Sequence, residues 1–176
     1  MVLRRLVFTL ALALALLPAG SAHAGDDIPD KRMYDVYRAV QKAFEVDGRI
    51  IAAIHFTEHT YGKGAKKGLY KGPYGFGDSA WGTHKRAYKK GKRPKDYPFA
   101  SKDLKRCDGR EPCIHDLFDA AMAAGSFLRA AGADGELESR GTRKALCFYN
   151  TGTNSRKCDY EKRVIKKASE YKRKNF

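Results

Sequence analysis

Ile50-Ile51-Ala52-Ala53-Ile54-His55-Phe56-Thr57-Glu58-His59-Thr60-Tyr61-Gly62 sets the character of this chain. Ile50, Ile51 and Ile54 share one face at helical spacing, which predicts a helix that opens near Arg49, after the Asp47-Gly48 break, and ends before Gly62. Counting in fours from Ile50 passes Ile54 and arrives at Glu58. A carboxylate therefore stands on the apolar face, in the last turn, where a further aliphatic residue is expected. Acidic side chains are rarely placed inward without a reason. Desolvation and the negative end of the helix dipole both raise the pKa of such a carboxyl. An acid still protonated near neutrality can protonate a leaving oxygen, as cleavage of a glycosidic bond requires. The plainer alternative has Glu58 turning outward at a frayed helix end to pair with a lysine.

Helical periodicity continues on both sides of this segment. Asp30 reads as an N-cap for a helix with Met33, Val36, Tyr37, Val40 and Phe44 inward. Between Tyr61 and Gly77, six glycines interleave with Tyr61, Tyr70, Tyr74 and Phe76, so this stretch is not regular helix. Asp78 reads as the N-cap of a helix carrying Trp81 and Tyr88, and the basic run Lys85 to Lys95 as a solvated loop. His115 to Ala131 is expected to be helical, with Leu117, Phe118, Ala121, Ala124 and Leu128 inward and Gly132 as its stop. Further helices are expected from Thr142 to Tyr149 and from Asp159, the last with Tyr160, Val164, Ala168 and Tyr171 as its stripe. No stretch alternates as a strand does, so the fold class is mainly α.

Composition bounds the rest. Arg4, Arg5, the apolar run Leu6 to Leu17 and the small-residue ending Ala22-His23-Ala24 predict a signal peptide over residues 1–24 and a single domain over 25–176, periplasmic or secreted. The whole chain carries +15; without Arg4 and Arg5 it carries +13, from 33 basic against 20 acidic residues. So basic an exported protein is drawn to anionic cell-wall or membrane surfaces, unless its lysines serve solubility alone. No recognition motif supports nucleic-acid binding. Four cysteines in an oxidising compartment allow three pairings, and the local ones, Cys107 with Cys113 and Cys147 with Cys158, are favoured because each staples one loop.

Four segments, in order, resemble the catalytic domain of lytic transglycosylases. Ala53-Ile54-His55-Phe56-Thr57-Glu58 with the glycine-rich loop is similar to that family's catalytic helix and loop. Gly72-Pro73-Tyr74-Gly75-Phe76-Gly77-Asp78-Ser79-Ala80-Trp81 is similar to its G-P-M-Q-F-M-P-S-T-W loop. The helix through Gly125-Ser126-Phe127-Leu128 to Gly132 resembles its A-x-Y-L-x-x-x-G pattern, and Ala145 to Gly152 its A-x-x-Y-N-x-G segment. The resemblance runs from Gly48 to about Tyr171. It implies a lysozyme-like fold with a substrate cleft, and cleavage of the β-1,4 bond between N-acetylmuramic acid and N-acetylglucosamine in the glycan strands of peptidoglycan. Glu58 would be the single catalytic acid/base, Tyr149 a cleft tyrosine, and Asn150 and Gly152 the turn beside it. Pro73, Tyr74, Gly75 and Phe76 would form the wall against which sugars lie. No metal or organic cofactor is required by that chemistry.

The departures are specific. The family's Ser after the acid is His59 here, its loop Gln falls at Gly75, and its Pro at Asp78. Asp78 adds a carboxylate, which keeps a hydrolytic, lysozyme-type muramidase as the alternative outcome. Tyr149-Asn150-Thr151-Gly152 also reads as an ordinary helix C-cap. His55-Phe56-Thr57-Glu58-His59 matches the H-x-x-E-H pattern of inverted zinc peptidases, with Glu136 or Glu138 as a third ligand. A cationic wall-binding module without catalysis is the third class.

Overall fold

The computed structural model describes residues 28–59, 70–97, 107, 111–153 and 158–174. The expected signal peptide and the segment 60–69 of the glycine-rich stretch lie outside the described residues. The chain is mainly helical: α1 (Lys31–Phe44), α2 (Gly48–His59), α3 (Asp78–His84), a 3-10 helix (Lys85–Lys90), α4 (Leu117–Ala130), α5 (Arg140–Thr151) and α6 (Asp159–Arg173). Among the described residues the only β pairing is one isolated bridge, Lys71 to Phe76.

α1 follows its sequence pattern. Asp30 caps it by accepting from the Arg32 N–H, and Met33, Val36, Tyr37, Val40 and Phe44 are its buried residues. α2 does more than present one face. Ile50, Ile51, Ala52, Ala53, Ile54 and His55 are all fully buried, because α1, α4 and α6 pack around this one helix. Small residues let the neighbours close in. At Gly125 on α4 a Cβ would stand 2.3 Å from Val40 Cγ1, so only glycine lets α4 approach α1 this closely. With 25–30 cal/mol per Å² of apolar area removed from water, this shared core is the main source of stability.

Several boundaries differ from the sequence expectation. α4 begins at Leu117, not His115, because the Asp116 side chain accepts from the Asp119 N–H and fixes the start. α5 runs on to Thr151, and Gly152, at φ 68, caps it in the left-handed conformation. Asp78 is not the N-cap of α3. Gly77 holds that position, and Asp78 is the first helical residue, paired with Lys71 at 2.8 Å. The expected helix carrying both Trp81 and Tyr88 is divided, with Tyr88 in the 3-10 turn.

The basic run is also corrected. Lys85 to Lys95 is not a free solvated loop: its first half is the 3-10 helix packed on α4, with Ala87 buried and Lys90 over the Phe44 ring at 5.5 Å. Arg93 turns inward. It donates to Asp116 at 2.7 Å and Asp119 at 2.6 Å, pairs with Glu111 at 2.8 Å, and bonds the Tyr97 hydroxyl. Asp116 and Asp119 are buried, so their charges need these donors. Tyr97 donates to Asp116 at 2.7 Å, and the Cys113 N–H to Asp119 at 2.8 Å. Burial pushes the Asp119 carboxyl up to about 6, against the Cys113 N–H that lowers it. The network ties the segment after the 3-10 helix to the start of α4.

Both expected disulfides form, Cys107–Cys113 and Cys147–Cys158, with Cα atoms 5.5 and 5.8 Å apart. The second joins α5 to the N-cap of α6, where Arg143 on α5 also bonds the buried Glu161. Disulfides accord with an extracellular or periplasmic protein. Among the described residues no helix is long and apolar enough to cross a membrane.

Candidate active site around Glu58

α2 carries Glu58 to its last turn, one residue before the helix ends at His59, and leaves it half-buried. Opposite lies a tight turn. Lys71 and Phe76 exchange backbone hydrogen bonds of 2.9 Å each, so residues 72–75 fold back on themselves. Gly75, at φ 62, is seated on the acid: a Cβ there would stand 2.6 Å from Glu58 Oε2. The space a side chain at position 75 would need is thus taken by the Glu58 carboxylate.

α5 closes the arrangement. The Tyr149 hydroxyl donates to the Tyr74 carbonyl at 2.6 Å, clamping the turn to the end of α5. Phe76 packs 5.9 Å from both Tyr149 and Trp81, ring centre to ring centre. Tyr160 of α6 stacks on Tyr149 at 6.3 Å. Burial holds both phenols well above their ordinary pKa, and the negative charge of Glu58 raises them further. Tyr160 is close enough to the carboxylate for a long interaction, although its buried hydroxyl has no partner at ordinary hydrogen-bond geometry. A half-buried carboxylate facing a glycine backbone and two neutral phenols can exchange a proton with a bound substrate.

The sequence-derived residues sort unevenly. Glu58, Gly75 and Tyr149 come together. Tyr74 and Phe76 are 0% and 2% exposed, and Pro73 is buried too, so the turn presents its backbone at Gly75 rather than a wall of side chains. Asn150 is exposed at the end of α5. Tyr160 belongs to the site and was legible only as part of the α6 core stripe, since it follows the helical spacing of Val164, Ala168 and Tyr171. Its signal would have been a buried hydroxyl in need of a partner.

The two histidines beside Glu58 stack on one another, ring centres 6.1 Å apart. His55 is fully buried, with Nδ1 2.9 Å from the Tyr37 hydroxyl and its ring stacked 5.4 Å from Tyr74. Burial pushes its pKa down to about 3, helped by the His59 charge, so the ring is neutral. Glu136 and Glu138 are exposed, and Glu138 pairs with Arg143 at 3.4 Å. Among the described residues no three His, Cys, Asp or Glu side chains are grouped so as to hold a metal ion. Comparison of the chain with family models, with curated proteins and with solved structures finds no match.

Proposed function

We propose that this protein is an exported peptidoglycan lytic transglycosylase, with a lysozyme-like fold and a substrate cleft that opens on Glu58 at the end of α2. The observation that carries this reading is the meeting, at one carboxylate, of separate segments that resemble the family: Glu58 from α2, Gly75 from the turn and Tyr149 from α5. Glu58 protonates the glycosidic oxygen as the bond to the muramoyl anomeric carbon breaks. The substrate's own N-acetyl oxygen bonds to that carbon in place of a protein nucleophile. Glu58, now a carboxylate, takes the proton of the muramoyl 6-hydroxyl. Its oxygen displaces the acetamido group and closes a 1,6-anhydro ring, without consumption of water. Asp78 turns to Lys71 and is 78% exposed, which argues against it as a second catalytic carboxylate; hydrolysis by the same acid, as in a lysozyme-type muramidase, is the alternative product outcome. The basic surface would hold the enzyme near anionic wall or membrane surfaces.

Glu58→Gln keeps the shape and removes the proton donor. Purified peptidoglycan should lose cleavage by about a hundred- to ten-thousand-fold with this variant. Mass spectrometry of the wild-type products separates anhydro ends from reducing ends, which differ by one water. A Gln variant that still clears peptidoglycan at a comparable rate refutes the assignment of Glu58.

A further inference from the structure

Six residues of α6 are exposed, and five of them are basic: Lys162, Arg163, Lys166, Lys172 and Arg173, against Asp159 alone. The acids nearby are already engaged. Asp159 pairs with Lys162 at 3.1 Å, Glu170 with the buried Lys167 at 3.4 Å, and the buried Glu161 with Arg143 of α5. Among the described residues Lys166, Lys172 and Arg173 hold no ion pair. On α1, by contrast, the exposed arginines each hold an acid, Arg32 with Asp30 at 2.7 Å and Arg38 with Asp35 at 3.5 Å. The helix dipole suits Lys172 and Arg173 in the last turn, but it disfavours cations near the start of a helix, where Lys162 and Arg163 stand. Lys162, Lys166 and Arg173 fall on one line of the helix surface, roughly 16 Å long, opposite the buried Val164, Ala168 and Tyr171. The near end of this face adjoins the acid: the Arg163 guanidinium lies over the Tyr160 ring, 5.9 Å from its centre, and Tyr160 faces Glu58.

We infer that the outer face of α6 is an electrostatic docking surface for the carboxylate-bearing peptide stems of peptidoglycan. The wall as target rests on the glycan-cleaving reading, whereas the face itself rests on its uncompensated charge. Carboxylates that recur along a polymer meet cations that recur along a helix. The stems stand on the very strand whose sugars reach Glu58, so a face that adjoins the acid through Tyr160 engages the same substrate. An anionic membrane fits less well. A helix that lies on lipid binds through buried apolar area together with its charges, and α6 turns Tyr160, Val164, Ile165, Ala168 and Tyr171 into the protein core. Every exposed residue of α6 is charged, which leaves no apolar side chain there for lipid.

The test is co-sedimentation of the full Glu58→Gln chain, which leaves walls undigested, with purified peptidoglycan sacculi freed of secondary polymers. Lys166→Gln, Lys172→Gln and Arg173→Gln together should weaken binding by about tenfold at 0.01 M salt, where charges act over about 30 Å, and the difference should vanish at 1 M, where they act over about 3 Å. The conservative set Lys166→Arg, Lys172→Arg and Arg173→Lys should bind as the unsubstituted face does. Arg86→Gln, Lys89→Gln and Lys92→Gln, at residues that are also exposed, remove the same charge elsewhere and should weaken binding far less. Sacculi whose carboxylates have been amidated should bind the intact and neutralised faces alike. If the neutralised α6 variant misfolds, as thermal melting would reveal, amidation of the sacculi carries the comparison on the intact face alone. Equal loss from the two neutralised sets, or undiminished binding to amidated sacculi, overturns the docking surface and leaves cleavage by Glu58 untouched. Tighter binding to phosphatidylglycerol vesicles than to sacculi, lost on neutralising α6, overturns the choice of wall over membrane. A wild-type protein that docks as described but cleaves no peptidoglycan overturns the glycan-cleaving reading and leaves the surface standing.

Discussion

Replacing Gly75 with alanine separates two effects that usually travel together. At φ 62 an L-residue costs about 1–2 kcal/mol relative to glycine, a drop of roughly 2–8 °C in Tm for a domain of this size. The new Cβ would also stand 2.6 Å from Glu58 Oε2 and 3.2 Å from its carboxyl carbon, closer than such atoms approach. The carboxylate is the movable end of a flexible side chain, so it swings aside and the clash adds little to the stability loss. It moves the acid by about an ångström, and a displacement of that size can cost about a hundredfold in rate. Gly132→Ala is the control, since Gly132 has φ 96 and a Cβ added there would meet nothing within 4 Å. Both variants should melt somewhat earlier, and only Gly75→Ala should lose turbidity clearing of peptidoglycan. Full activity in Gly75→Ala, or equal loss in both variants, would refute the claim that Gly75 exists to make room for Glu58.

Three further outcomes follow from the packing. Arg93→Met leaves the buried Asp116 and Asp119 without their cation and should cost about 3–5 kcal/mol in chemical denaturation; a loss below about 1 kcal/mol would show that the network is not structural. His55 titrates at about 3 when folded and near its ordinary 6.5 when unfolded, so its contribution is present above pH 6.5 and is lost as pH falls toward 3. The stability of wild type relative to His55→Gln should therefore fall by about 1.4 kcal/mol per pH unit below 6.5, roughly 2 kcal/mol by pH 5; the opposite trend from Asp119 cancels in that difference, and a flat difference refutes the argument. Reduction of the two disulfides, which close loops of 6 and 11 residues, should destabilise by roughly 2–3 kcal/mol each, read as an earlier denaturation midpoint in reductant.

Local rules made much of this molecule legible from residues alone. The apolar spacing from Met33 to Phe44 and the Asp30 cap define α1 because periodicity and capping act within one turn. The stripe Tyr160, Val164, Ala168, Tyr171 defines α6 for the same reason, and cysteines close in sequence found each other because short loops close most readily. Glu58 stood out because a carboxylate interrupts an aliphatic face. Tertiary structure decided what lies across space. Arg93 sits in a run of lysines, and nothing in that run distinguishes it. Its partners Asp116 and Asp119 lie 23 and 26 residues away, so only the folded chain brings the charges together and selects the one cation able to hold both. Tyr160 reads as core until α6 packs on α2 and brings its hydroxyl to Glu58. Gly75 shows the same division: its sequence permits a positive φ, but the need for a missing side chain is created by a carboxylate on another helix, and no pattern along one strand of residues encodes an atom that arrives from elsewhere.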